Sequence, residues 1–94
     1  MVLNTDKLKE IYGETVLYDI KENLDSIIAN INYLLSKKFK DVYDIFETYP
    51  YLFMNTPEVF QKKVDGLIER LGVEYIEKLE QNYTLWGEVN DKLR

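Results

Sequence analysis

Phe46-Glu47-Thr48-Tyr49-Pro50-Tyr51-Leu52-Phe53-Met54-Asn55-Thr56-Pro57-Glu58-Val59-Phe60 sets two prolines among bulky aromatic residues, and its reading decides the fold. Just upstream, Val42, Ile45, Phe46 and Tyr49 recur at spacings of three and four, the mark of one helix face. Pro50 closes that helix, because its ring pushes Tyr49 out of helical geometry. Tyr51 to Met54 is apolar but too short for a helix of its own. It reads as a single turn tucked into the core, with a short strand as the alternative. Thr56-Pro57-Glu58 then starts a new helix. Thr56 stands at the cap, Pro57 at the first helical position and Glu58 near the positive end of the dipole. Phe60, Val64, Leu67, Ile68 and Leu71 form its inward stripe, and Gly72 stops it.

The same spacing runs through the segment from about Glu14 to Lys37, at Val16, Leu17, Ile20, Leu24, Ile27, Ile28, Ile31, Leu34 and Leu35. It predicts a long helix, broken or bent near Asn23 because one straight element of that length exceeds what a small domain needs. Before it, Thr5 to Tyr12 reads as a short capped helix ended by Gly13. After Gly72, Val73 to Asn82 is a further amphipathic helix. Thr84 to Arg94 is a final one, although Gly87 lowers its propensity. The fold class expected is all-α, with five to six helices in antiparallel hairpins.

The chain has 94 residues, few enough for a single domain, 1–94, and only four Gly and two Pro, which favours helices over strands joined by many tight turns. It has no Cys and no His. Disulfides, thiolate or imidazole metal sites and every Cys-His or Ser-His nucleophile are thereby excluded. No apolar run approaches a membrane span, and the first residues lack the features of a signal peptide, so a cytoplasmic protein is expected. Lys, Ile, Asn and Tyr are favoured over Arg, Ala, His and Cys, a bias associated with AT-rich bacterial or phage genomes. A net charge of −5 argues against a nucleic-acid binder, which needs a basic face.

Shifted against itself by 33 residues, the sequence matches in residue type. Ile27 falls on Phe60, Ile31 on Val64, Leu34 on Leu67, Phe46 on Leu79, Leu52 on Leu85 and Phe53 on Trp86. Two units are expected, 24–56 and 57–89, each a long helix, a turn, a short helix and a bulky apolar pair. Chance alignment of two amphipathic hairpins is the competing explanation.

Tyr49-Pro50-Tyr51-Leu52-Phe53, followed by Pro57-Glu58 and by Lys63, Val64, Leu67 and Leu71-Gly72, resembles the helical repeat of mitochondrial transcription termination factors. The resemblance covers about 35 residues well and 65 loosely. It implies a stack of helical hairpins with a nucleic-acid-binding surface. Tyr83 stands where a second copy would carry proline, and Phe39 where the first would carry glycine.

Candidate sites follow from these patterns. Tyr49, Tyr51 and Met54 are the members of the aromatic stretch expected at the surface, where they would bind a protein partner. Trp86, with Leu85, Val89 and Leu93, forms a stripe that either packs within the chain or meets a second copy in a homodimer. Lys37, Lys38, Lys40, Lys62 and Lys63 take similar places in the two units and would carry phosphate contacts in the alternative, nucleic-acid-binding reading. Glu74, Glu77 and Glu80 share a helix face suited to a basic partner. No pattern points to catalysis, a metal or a cofactor. The expectation is a non-catalytic, acidic interaction or adaptor domain.

Overall fold

A computed structural model describes residues 5–90 of the chain. These residues are all-α, with no strand among them. The elements are α1 (Thr5–Tyr12), α2 (Thr15–Glu22), α3 (Leu24–Ser36), α4 (Val42–Thr48), α5 (Pro57–Leu71), α6 (Tyr75–Gln81) and α7 (Thr84–Asn90). Two short 3-10 segments, Pro50–Met54 and Gly72–Glu74, link α4 to α5 and α5 to α6.

The long helix expected over 14–37 is two helices divided at Asn23. Asn23 turns its side chain back to the carbonyl of Asp19, at 2.8 Å, and so occupies a backbone acceptor near the end of α2. The apolar turn after Pro50 is 3-10 rather than strand, and it buries Pro50, Leu52 and Phe53. Pro57 opens α5 as expected. Thr56 occupies the cap position, but its hydroxyl makes no capping bond; only its carbonyl is used, by the amide of Phe60 at 2.9 Å. The side chains of Thr5 and Leu93 lie outside the described residues.

Gly13 and Gly72 end α1 and α5 with φ of +86° and +83°, values that glycine adopts without steric cost. The end of α3 makes the same left-handed turn with a lysine, Lys38, at φ +77°. The amide of Lys38 bonds the Leu35 carbonyl at 3.0 Å, and that of Phe39 the Leu34 carbonyl at 3.3 Å. This pair of bonds is a Schellman stop. Phe39 and Leu34 are both buried, which supplies the apolar contact that accompanies the motif.

One core runs through the molecule. Phe46, Phe53 and Phe60 form its centre, with ring centroids 5.5 Å apart for the first pair and 5.0 Å for the second. Phe39 packs on Trp86 at 5.7 Å and on Tyr75 at 5.9 Å, extending the core to the last helices. Asn30 is the polar residue buried among these side chains. Its amide nitrogen donates to the carbonyls of Phe53 and Asn55, both at 2.9 Å, while its Oδ1 has no partner among the described residues. Tyr33 O–H donates to Asp65 across the α3–α5 contact. The partners of Asn30 and Tyr33 advance in the same sense as α3 itself, so α3 and α5 run in the same general direction.

Leu24 and Pro57 open α3 and α5, Val42 and Tyr75 open α4 and α6, and Thr48 and Gln81 close them; each pair lies 33 positions apart. Single contacts recur at the same offset. Phe53 packs against Phe46, and Trp86 donates its indole N–H to the Leu79 carbonyl at 3.2 Å. Asn30 reaches the carbonyls of Phe53 and Asn55 before α5, and Lys63, 33 positions later, reaches the Val89 carbonyl with its Nζ at 3.0 Å, one position beyond the counterpart of Asn55.

Candidate interaction surfaces

The aromatic candidates serve mainly inside the fold. Trp86 is wholly buried against Phe39 and bonded to Leu79. Of the two alternatives, packing within the chain is the one found, so Trp86 is not available as a partner-binding residue: the Leu79 carbonyl of the preceding helix and Phe39, distant in sequence, enclose it. Tyr49, Tyr51 and Met54 are half-buried and pack against the core. A Cβ added at Gly87 would stand 3.1 Å from the Tyr49 hydroxyl, so a larger residue there would have to displace the end of that side chain by a few tenths of an ångström. Tyr51 O–H donates to Asp19 at 2.7 Å and its ring meets Tyr12 edge-on at 6.5 Å. Burial, followed by the bond to the Asp19 carboxylate, pushes the Tyr51 phenol up to about 12. Burial and the neighbouring Asp65 do the same to Tyr33, also to about 12. Tyr83, which donates to Asp44 at 2.9 Å, is raised by burial, by that bond and by the nearby Asp41 and Glu80.

The five lysines fall into two groups, one on the turn after α3 and one in the first half of α5. Lys63 is committed to Val89, and the Lys37 ammonium lies 5.3 Å from the centre of the Tyr33 ring. Lys38 and Lys40 are exposed on the turn, and Lys62 on α5. Lys40 borders an open groove of about 420 Å³ that is otherwise lined by Val73, Ile76 and the acidic Glu74, Glu77 and Glu80. Glu80 accepts from the amides of Lys40 and Asp41, at 2.6 and 2.8 Å, and thereby caps α4 from α6. The carboxylates of this groove surround the lysine with opposite charge, the reverse of a phosphate-binding surface.

A different surface emerges from α3. Leu24, Ile28 and Leu35 are 40%, 36% and 41% exposed. At about 100° per residue they fall within roughly 40° of one another on the helix. The flank of α3 that carries Tyr33 and Asn30 faces α5, and the apolar stripe lies on the opposite side. The sequence spacing placed these three residues on the apolar arc of the predicted helix together with Ile27, Ile31 and Leu34. Periodicity gives the apolar arc of a helix but not which neighbours cover each part of it. The available signal was the pairing of Leu24 with Pro57 and of Ile28 with Gln61, which makes the first unit more apolar than the second along this edge.

Among the described residues no helix is long and apolar enough to cross a membrane, and no group of three or more acidic side chains is placed to hold a metal ion. No protein-family profile, curated protein or solved structure matches the chain.

Proposed function

We propose that this chain is a small non-catalytic interaction domain, built from two stacked copies of a 33-residue helical unit, that binds protein through the apolar flank of α3. The supporting observation is the stripe of Leu24, Ile28 and Leu35. Three large aliphatic side chains stand together, more than a third exposed, between the buried face of α3 and its polar solvent face of Asp25, Asn32 and Ser36. Clustered apolar exposure of this kind marks association surfaces. The two-unit reading draws support from matched element boundaries and from the recurrence of the Phe46–Phe53 contact as Leu79–Trp86. The non-catalytic reading rests on a sequence without Cys or His. A cytoplasmic setting belongs to the same proposal.

The test is a photo-crosslinking amino acid placed at position 28, with position 69 on the exposed polar side of α5 as control, in cells that make the protein. Protein adducts formed from position 28 and not from position 69 are expected. Equal yields from both positions, or none from either, refute the assignment of the α3 flank.

A further inference from the structure

We propose that the partner of the α3 flank is a second copy of this chain, bound head to tail, with Leu24, Ile28 and Leu35 of one copy seated on Val59, Lys62 and Gly66 of the next. The inference rests on the two-unit reading and deepens it. α3 and α5 are matched helices, so their burial can be compared position by position. Ile27, Ile31 and Leu34 are buried, and so are Phe60, Val64 and Leu67, 33 residues later. Asp25, Asn32 and Ser36 are exposed, as are Glu58, Asp65 and Glu69. Apart from Asn30, buried where Lys63 is half-buried, the matched positions of α3 and α5 that differ do so by side. On one side Leu24, Ile28 and Leu35 are exposed, whereas Pro57, Gln61 and Ile68 are half-buried, because α3 lies over that edge of α5. On the other side Ser26, Ala29 and Tyr33 are half-buried beneath α5, whereas Val59, Lys62 and Gly66 are exposed.

The internal contact between α3 and α5 therefore leaves two unused halves. The open flank of α3 is the counterpart of the α5 edge that α3 covers. The open flank of α5 is the counterpart of the α3 edge that does the covering. Two copies can meet through these halves in the relation that already holds within one copy. Such an interface is heterologous, and it leaves a free half at each end of any assembly.

Gly66 adds an independent observation. It lies in the interior of α5, where glycine costs about 1 kcal/mol relative to alanine. Nothing comes within 4 Å of the place where its Cβ would stand, so no contact within the described residues requires a glycine there. A helix packed closely on that flank does. Lys62 beside it can lay its methylene stem along the incoming leucines while its ammonium stays in water.

Sedimentation and light scattering over a concentration series, up to about 1 mM at the weak end of specific association, read the result. For the wild-type chain, the average mass is expected to rise above the monomer's 11.2 kDa and to keep rising without a plateau at the dimer. Ile28→Glu blocks one half of the interface and Gly66→Arg the other. Each variant alone is expected to remain monomeric, while an equimolar mixture forms a dimer and stops there, since each copy retains one open half. Leu35→Glu serves as a second variant on the α3 flank, and circular dichroism confirms that each variant stays helical. A wild-type mass that stays monomeric throughout overturns the proposal, and so do association untouched by both variants and a mixture that remains monomeric. A plateau at the dimer, abolished by Ile28→Glu and indifferent to Gly66→Arg, also overturns it in favour of a symmetric contact. A monomeric wild type whose position 28 crosslinks to a different protein would end the self-association proposal and leave the α3 flank as a binding surface.

Discussion

Asn30 is the position at which a single atom exchange discriminates most sharply. Its amide supplies two hydrogen bonds, at 2.9 Å each, to carbonyls on either side of Met54, in a site with no exposure to solvent. Asn30→Asp keeps the shape and removes both donors. Two lost hydrogen bonds at about 1 kcal/mol each give about 2 kcal/mol. The carboxylate would also be buried facing two carbonyl oxygens, which brings the expected loss to about 3 to 5 kcal/mol at neutral pH. A domain of this length has roughly 5 to 14 kcal/mol in total. The loss also has a pH signature. Burial and the two acceptors favour the protonated acid, so the folded pKa of the new side chain lies above its unfolded value of about 3.9. Between those two values the native state binds the extra proton. The deficit relative to wild type is therefore smallest below about pH 4 and grows as pH rises through the folded pKa. Asn30→Ala lacks the acid and should lose about 2 to 4 kcal/mol with no such pH dependence. Urea unfolding followed by circular dichroism at several pH values measures both. A deficit for Asn30→Asp under about 0.5 kcal/mol at pH 7, or one that does not change with pH, would refute the reasoning.

Other outcomes follow from the same structure. Tyr33 and Tyr51 should titrate near pH 12 in the folded protein, against an ordinary value of 10.0, so their contribution to stability should be constant below pH 10 and be lost between pH 10 and 12. Ultraviolet absorbance of tyrosinate reads this, and Tyr51→Phe should remove one late-titrating group. Lys38→Gly should raise stability by about 0.5 to 1 kcal/mol, because glycine accepts the left-handed turn freely, while Gly72→Ala should lower it; thermal melts give the signs. Trp86→Ala should cost about 3 to 5 kcal/mol in urea unfolding, and wild-type tryptophan emission should be that of a buried indole. Lys63→Met should lose the bond to Val89, with a cost of about 1 kcal/mol concentrated in α7 and visible as faster amide exchange there.

The punctuation of the fold was legible because its causes are local. Pro50 and Pro57 restrict their own neighbourhoods, Gly13 and Gly72 accept positive φ, and Asn23 carries a side chain that competes for backbone bonds. The turn at Lys38 was not legible, since lysine gives no signal of a left-handed residue; its cause is the burial of Phe39 against Leu34. The cap at Thr56 was right in position and wrong in chemistry, because the helix start is set by Pro57 and the hydroxyl goes unused. For Trp86 the sequence left core and surface both open, because what decides between them is Phe39, 47 positions earlier, which reaches it only through the tertiary fold. For the same reason the α3 flank escaped notice: whether Ile28 is covered depends on which helices stand beside it.

The 3-10 turn from Pro50 to Met54 touches α2, α3, α4 and α7. Only α4 adjoins it along the chain; α2, α3 and α7 are brought to it by closing longer loops, whose entropy cost grows slowly with length. Helical domains, in which contacts within and between neighbouring helices dominate, typically fold in microseconds to milliseconds. Leu52 and Phe53, wholly buried in a turn that meets four helices, are expected to belong to the folding nucleus, which φ-values would measure. Weakening them slows folding, whereas damage to α1 or α7 chiefly hastens unfolding. The few residues between the two prolines would then set how quickly the protein reaches its native state, as well as where its helices turn.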